Sequence, residues 1–273
     1  MLFFWALPFS AHPIGDSLAI FRVPIALTLA LLVIWSPWPA KLRWSVSVIC
    51  LAAMGHIAAQ KYVSHPKGPI TIYQKNLRFE NDQVDLIAAD IDAAQPDIVA
   101  LQELTSRNAA LVRMLRGDYP HQASCALVEW ARVAILSRWP VEGEICIEGQ
   151  GLVGVQVMSP DGPFWAFSLH GFLPWPYDQT EQLELILPII EDLEEPVVIA
   201  GDFNMVPWSY TLREFAHRTN TTRTGPLFST SRRYGARLPI DHVFAPGGGQ
   251  AEARPVLGST HTGVLANVFV FEP

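Results

Sequence analysis

The sequence predicts an α/β domain of mixed sheets carried behind an apolar helical hairpin. Three observations lead to that expectation. Strand-like runs outnumber helical ones and do not alternate strictly with them, so the sheets should be mixed. The chain is only 16% charged, against about 25% for an ordinary soluble protein. That deficit sits mainly in the first 63 residues, which hold one acid, Asp16, and four bases, Arg22, Lys41, Arg43 and Lys61. A length of 273 residues leaves room for one large domain and a small appendage. The expected division is a membrane-anchoring segment over 1–63, a linker over 64–69 and one domain over 70–273.

Residues 18–35 are almost wholly apolar, interrupted by Arg22 and Pro24. Residues 44–59 form a second apolar stretch, broken by serines, Gly55 and His56. Each is near the short limit of about 17 residues for a spanning helix. Trp35, Trp38 and Trp44 gather at the turn between them, as interfacial aromatics do. Ser36-Pro37-Trp38-Pro39 ends the first helix. The competing reading is a hairpin buried in a soluble domain, but such helices usually keep a polar face. Residues 1–9 are apolar and too short to span. With no basic stretch they do not read as a cleaved signal peptide, and a remnant of a third span or an interfacial stretch is expected there. Lys41 and Arg43 in the hairpin turn favour a following domain outside the cytoplasm, while Lys61, Lys67, Lys75 and Arg78 pull the other way.

Residues 64–69 read as a linker because of Pro66, Gly68 and Pro69. Short apolar or alternating runs predict strands at 70–74, 97–102, 122–128, 132–136, 141–147, 152–158, 164–169, 197–200, 240–244, 251–256 and 264–271. Helices are expected at 81–94 capped by Asn81, at 105–116 capped by Thr105, at 180–193, and to about 217 behind Ser209 as cap. Gly247-Gly248-Gly249 reads as a hairpin-like turn. It does not lead from a strand into a helix, so it makes a poor phosphate cradle. Cys125 and Cys146 fall in two expected strands and could pair in an oxidising compartment. Cys50 lies in the second apolar stretch, and three cysteines without close spacing do not make a metal site.

Residues 64–273 hold 25 acidic and 15 basic residues, a formal charge of −10. Such a surface repels polyanions, so no stable long nucleic-acid partner is expected. Acids gathered at one point could instead bind a divalent cation.

Gly201-Asp202-Phe203-Asn204 follows an apolar strand, and Gly201 is expected to end that strand and turn the backbone sharply. Asp202 and Asn204 would then sit at the strand's carboxyl end. Other strand ends carry Asn76, Glu103 and His170, with Asp241 at the start of a strand and His261 in the loop before the last one. Singly each has a bland explanation as a turn residue, a helix-entry acid or an edge histidine. Together they share one chemical sense. Glu103 offers hard oxygen to a cation, Asn76 can hold a phosphate oxygen, and the histidines can move protons or stabilise negative charge.

Asn76, Leu101-Gln102-Glu103, Ser168-Leu169-His170, Gly201-Asp202-Phe203-Asn204, Ile240-Asp241-His242 and Ser259-Thr260-His261 occur in an order that resembles the endonuclease/exonuclease/phosphatase (DNase I-like) family, in its membrane-anchored bacterial type. Val133-Ala134-Ile135-Leu136-Ser137-Arg138 and Pro207-Trp208-Ser209 add to the resemblance, which covers about residues 70–271. It implies a four-layer α/β sandwich of two mixed sheets flanked by helices. It also implies Mg²⁺ or Mn²⁺ at Glu103 with Asn76 beside it. Asp202 would handle the attacking water. Asn204, His170 and Asn76 would hold phosphoryl oxygens, and His261, oriented by Asp241, would stabilise the pentacovalent transition state. One departure stands out: Thr260 occupies the place of an acid in the family's usual Ser-Asp-His, which should weaken metal affinity or remove a second metal position.

Three features bear on the substrate. The hairpin would hold the site near a bilayer. The loop Gly171-Phe172-Leu173-Pro174-Trp175-Pro176-Tyr177 is aromatic and stiffened by proline. Arg213, Arg218, Arg223, Arg232, Arg233 and Arg237 form a basic island in an acidic domain, suited to a pyrophosphate or an anionic headgroup. The expectation is a monomeric, membrane-anchored phosphohydrolase acting on a lipid-linked or other small phosphoester. A membrane-tethered nuclease is the first alternative and a non-catalytic ligand-binding membrane protein the second.

Overall fold

The structure is a computed structural model that describes residues 11–233 and 236–271; the apolar stretch 1–9 lies outside them. The chain begins with a short helix α1 (Pro13–Ser17), a 3-10 turn (Leu18–Phe21) and α2 (Arg22–Ile34), then turns into α3 (Ala40–Ala59). The runs Pro13–Ile34 and Ala40–Ala59 are each long and apolar enough to cross a membrane. Their outer side chains, including Leu27, Leu31, Leu32, Val48 and Leu51, are exposed. The hairpin is therefore not buried inside a soluble core.

The body of the domain is two six-stranded sheets. The first holds β1 (Ile70–Asn76), β2 (Ile98–Leu104), β3 (His121–Val128), β4 (Ala131–Ser137), β13 (Gly249–Arg254) and β14 (Gly263–Val268), in the order β13-β14-β1-β2-β4-β3. The second holds β5 (Val141–Ile147), β6 (Leu152–Ser159), β7 (Gly162–His170), β8 (Val197–Asp202), β9 (Thr222–Arg223) and β12 (Asp241–Ala245), in the order β5-β6-β7-β8-β12-β9. One parallel pair, β1–β2 or β7–β8, lies within each sheet. Parallel neighbours need a crossover, supplied by α4 (Val84–Ala94) and α6 (Gln179–Glu191). With α5 (Ala110–Met114) and α7 (Tyr210–Arg218), these helices cover the outer faces. Helix, sheet, sheet and helix make four layers.

Strand alternation explains how this body makes a site. Side chains at every second position face the partner sheet. In β1 those positions read Ile70, Ile72, Gln74, Asn76, and in β7 they read Phe164, Ala166, Ser168, His170. In β8 they read Val198, Ala200, Asp202, and in β12, which runs the other way, Asp241, Val243, Ala245. The apolar members form one core between the sheets. At one end of the sandwich every inward position turns polar, and the site lies there.

Several expectations need correction. Helix 105–116 contracts to α5, with Thr105 Oγ1 accepting only from Arg107 N. Helix α4 starts at Val84, because Asn81 spends its side chain on Gln83 N and the Leu77 and Leu257 carbonyls. Gly201 is not a turn: β8 runs on to Asp202, and a Cβ at 201 would collide with the Leu169 carbonyl of the neighbouring parallel strand. The glycine triplet is not a hairpin either. It carries the chain from β12 in one sheet to β13 in the other, with φ of 63° at Gly248 and 145° at Gly249. Ser209 caps α7 as expected, accepting from Leu212 N at 3.1 Å. Three short strands escape the sequence pattern, β9 and then β10 (Ser231–Arg233) and β11 (Ala236–Leu238), of which the last two form their own antiparallel ribbon. They are short and arginine-rich, with no apolar alternation to betray them.

The hairpin is fastened to the domain at both ends. Asp16, the lone acid of the first 63 residues, is buried and accepts from the Tyr210 and Thr211 amides at the start of α7. Two free amides and the positive end of a helix suit a carboxylate. Arg22 Nη1 donates to the Trp208 carbonyl at 2.8 Å, and Trp208 Nε1 donates to the Ala19 carbonyl at 2.7 Å. At the far end the Gln60 carbonyl accepts from Leu227 N at 3.0 Å.

Cys125 in β3 and Cys146 in β5 form a disulfide. These are edge strands of opposite sheets, so the bond staples the two sheets together along one side. The bridged residues are 21 apart, and closing a loop of that size contributes about 3 kcal/mol. The Cys125→Ser/Cys146→Ser variant should lose about that much in urea unfolding followed by tryptophan fluorescence. An unchanged midpoint would show that the bond carries no such stabilisation.

Candidate active site

Six side chains singled out from sequence converge at the polar end of the sandwich. Asn76, Glu103, His170 and Asp202 close the carboxyl ends of the four parallel strands. Asp241 opens β12 directly opposite Asp202, and His261 precedes β14. Asn204 lies one step beyond, in the turn after β8.

Backbone irregularity aims two of them. Between Leu101 and Leu104 the β2–β4 register slips by one residue, a bulge on β2, and Glu103 inside it has φ of 57°. Bulges re-aim side chains next to functional sites. A non-glycine residue held at positive φ stores strain that its surroundings must maintain. Asn204 has φ of 50°; its amide N–H donates to Asp202 Oδ1 at 2.9 Å and its Nδ2 donates to the Gly171 carbonyl at 2.8 Å. The turn conformation expected at Gly201 is in fact located here.

Asn76 joins the two sheets. Its Nδ2 donates to Glu103 Oε1 and to Asp202 Oδ2, both at 3.0 Å, while its Oδ1 accepts from Arg78 N at 2.9 Å. A backbone N–H can only donate, so the amide orientation is fixed. Expected beside the metal at Glu103, Asn76 presents its amide nitrogen toward both carboxylates. It acts here as a bridging donor.

His261 lies between two acids. Its Nδ1 is 2.8 Å from Asp241 Oδ2 and its Nε2 is 3.9 Å from Asp202 Oδ2. Burial alone would push its pKa down, but Asp241 and Asp202 hold it up at about 9. Burial would raise Asp241, yet His261 and the hydrogen bonds of Thr230 and Gln74 bring it below its ordinary value. Asp202 goes the other way: burial and the adjacent Asp241 raise it more than the two histidines lower it. Burial also works against Glu103, whose bonds from His170, Asn76 and Phe79 N hold it at about 2. His170 is pushed down by burial and lifted more by Glu103 and Asp202, to a net rise. Its Nε2 faces Glu103 Oε1 at 3.3 Å, and its Nδ1 is enclosed without a partner among the described residues. Only the Nε2 edge faces the site. His242 is unlike these two. Burial and Arg223 push it down to about 3, and it packs on Phe203 beside the Met205 carbonyl, as a neutral core histidine.

A supporting layer was not anticipated. Gln74 Nε2 donates to Gln102 Oε1 and Asp241 Oδ1, and Gln102 Nε2 donates to Ser168 Oγ. Lys75 is fully buried and donates to the Pro255 and His261 carbonyls; burial lowers it to about 8. Ser259 Oγ accepts from His261 N and donates to the Asn76 carbonyl. The period-two continuation of β1, β2 and β7 was the signal that could have found Gln74, Gln102 and Ser168.

Asp202, Asp241 and His261 bring potential ligand atoms within 4.8 Å of one another. Within this trio the Asp241–His261 contact, at 2.8 Å, is a hydrogen bond, while Asp202 stands at ion-pair distance, 3.9 Å from His261 Nε2. Glu103 fits a hard cation better, being ionised, partly exposed and carrying oxygen ligands. A cavity of about 620 Å³ beside Glu195, Pro196 and Pro246 lies at the opposite end of β8 and β12 and away from this chemistry.

The arginines do not form one island. Arg218 pairs with Glu191, Arg223 donates to the Thr224 carbonyl and Arg213 to the Trp208 carbonyl. Among the described side chains, Arg232 and Arg237 line a cavity of about 530 Å³ together with Ser231, Ser259 and Thr260, next to His261.

A sequence profile described as the Endonuclease/Exonuclease/phosphatase family matches residues 74–261. No curated protein sequence matches the chain. Solved structures that share its fold include these three examples. An endonuclease/exonuclease/phosphatase from Beutenbergia cavernae is 20% identical, with a TM-score of 0.59 over 72% of this chain and 70% of that one. Beta toxin of Staphylococcus aureus, in a structure with bound magnesium ions, is 13% identical, with a TM-score of 0.60 over 73% and 99%. Humanized D. rerio TDP2 is 17% identical, with a TM-score of 0.57 over 72% and 97%.

Because the folded-state value of His261 is raised from 6.5 to about 9, its charged form contributes stability that is full below pH 6.5 and lost as pH rises through 9. Wild-type stability should therefore fall between pH 6.5 and 9 in denaturant titrations, and Asp241→Asn should flatten that slope. A wild-type profile already flat across this window would contradict the charged cluster.

Proposed function

The chain belongs to the endonuclease/exonuclease/phosphatase family, whose members are metal-dependent phosphoesterases, and on that premise we propose a membrane-anchored phosphohydrolase that cleaves a lipid-linked or small phosphoester by in-line attack of water. The observation that carries this reading is geometric: Asp202 and Asp241 face each other across β8 and β12, with His261 3.9 Å and 2.8 Å from them. Asp202 is made more basic, while Asp241 is kept ionised and keeps His261 charged.

A divalent cation, Mg²⁺ or Mn²⁺, would be held by the Glu103 carboxylate and would neutralise charge on the phosphoryl oxygens. The remaining steps belong to the side chains. Asp202 takes the proton of the attacking water, and its raised affinity for a proton suits a general base. The His261 imidazolium stands beside Asp202 and donates to the phosphoryl oxygen that gains charge as phosphorus becomes five-coordinate. Asp241 fixes the ring and its charge. His170 through Nε2 and Asn204 through its side-chain amide hold the other phosphoryl oxygens in line.

The substrate preference rests on the surroundings. Trp175 and Tyr177 in the loop after His170 are exposed, and so are Phe79 and Trp130, which stack edge to face near Glu103. Interfacial aromatics of this kind suit a lipid surface. The hairpin joins the domain at Trp208, four residues past Asn204, which keeps the site close to the anchor. The Cys125–Cys146 bond supports a domain on the oxidising side of the membrane.

Full-length protein in detergent should hydrolyse bis(p-nitrophenyl) phosphate with Mg²⁺ and not with chelator, and Asp202→Ala should lower kcat by about 10²–10⁴-fold. Nicking of plasmid DNA that depends on Asp202 would replace the lipid preference with a nuclease. Alkaline phosphatase fused after residue 273 should be active in cells, and an inactive fusion would place the domain in the cytoplasm.

A further inference from the structure

We propose that the cavity beside His261 is a second anion pocket, in which Arg232 and Arg237 grip a phosphate attached to the scissile one. This deepens the phosphohydrolase reading and rests on it for the identity of the reacting group. The pocket holds about 530 Å³ and is walled by hydroxyls, among them Ser231, Ser259, Thr260 and Thr262, with two guanidinium groups and no carboxylate among the described residues.

Three observations converge. First, Arg232 and Arg237 are directly opposite across the β10–β11 ribbon. Cross-strand partners project to the same side about 5 Å apart, and like charges so placed repel. Neither is in an ion pair among the described residues. An anion between them removes the repulsion and offers both forks their preferred acceptor. Second, the ribbon is tied to the reaction centre. Ser231 Oγ is 3.3 Å from His261 Nε2, and Arg232 N donates to the Thr260 carbonyl at 3.3 Å. A group in this pocket is thus beside the histidine that faces the scissile phosphoryl. Third, Thr260 stands where the resemblance leads one to expect an acid. A carboxylate at 260 would line the same wall and repel an incoming phosphate, and a hydroxyl does not. The departure from the usual Ser-Asp-His acquires a physical reason.

The ligand chemistry is a pyrophosphate, or a phosphoester with a second phosphate directly attached. Ser231 both lines the pocket and reaches His261 Nε2 at 3.3 Å, so it links the pocket to the catalytic histidine.

The test compares inorganic phosphate, inorganic pyrophosphate and a detergent-solubilised lipid diphosphate as ligands of the full chain at fixed free Mg²⁺. Calorimetric titration gives the affinities, and competition against bis(p-nitrophenyl) phosphate hydrolysis gives a second measure. Wild type should bind pyrophosphate at least about tenfold more tightly than phosphate, the gain of one doubly contacted anion. Arg232→Ala/Arg237→Ala should bring that ratio close to one, and Thr260→Asp should also reduce it. Tighter binding of the lipid diphosphate assigns the second phosphate to a lipid; equal binding assigns it to a free pyrophosphate. A wild-type ratio near one overturns the pocket, and so does a ratio unchanged in the double arginine variant with its disulfide and circular dichroism intact. Diester hydrolysis that is absent while the pyrophosphate ratio survives would overturn the catalytic reading and leave the pocket standing.

Discussion

Two carboxylates, Asp202 and Asp241, face each other across adjacent strands in a buried environment, and the domain is arranged around the need to keep that pair tolerable. Like charges in a low-dielectric site cannot both ionise unaided. His261 resolves the conflict by lying between them, 2.8 Å from one and 3.9 Å from the other. The solution is asymmetric. Asp241 receives the short hydrogen bond along with those of Gln74 and Thr230 and stays ionised, while Asp202 keeps the unfavourable share of burial and repulsion. A proton acceptor and a proton donor are thereby created side by side.

Much of the fold serves this arrangement. β12 must run antiparallel to β8 for Asp241 to meet Asp202, and β14 antiparallel to β1 for His261 to arrive at the same end. Lys75 and Ser259 hold the His261 backbone from below. Asn76 carries the network across to Glu103, so the two sheets are joined through the site at this end and by the Cys125–Cys146 bond along one side. The apolar hairpin is integrated in the same way. Asp16 completes the cap of α7, and Arg22 and Trp208 lock the hairpin onto the loop that follows Asn204. The apolar hairpin is thus hydrogen-bonded directly to the loop that leads away from the site.

The parts legible in sequence were those in which one residue type at one place implies one chemistry. Asp202, Glu103, His170 and Asp241 each end or begin an apolar strand, and the alternation that fills the core also delivers them to one end. The remainder depended on tertiary geometry. Glu103 points inward only because of a bulge that no local propensity announces. Gly201 is needed for the close approach of Leu169, which the sequence cannot show. Asn76 is turned to nitrogen by a backbone amide two residues later. Asp16 looked like a stray charge in an apolar segment until α7 was placed beside it. The β10–β11 ribbon lacks an apolar face, so the pairing of Arg232 with Arg237 was invisible, and the arginines looked like a single island. Once placed, Arg213, Arg218 and Arg223 are engaged elsewhere.

The central claim is that water, activated by Asp202, attacks phosphorus. Hydrolysis of bis(p-nitrophenyl) phosphate in ¹⁸O-labelled water, with mass spectrometry of both products, tests it most directly. The account predicts one ¹⁸O in p-nitrophenyl phosphate and none in p-nitrophenol. Label in the phenol, or product formation that persists at the wild-type rate in Asp202→Asn, would contradict it.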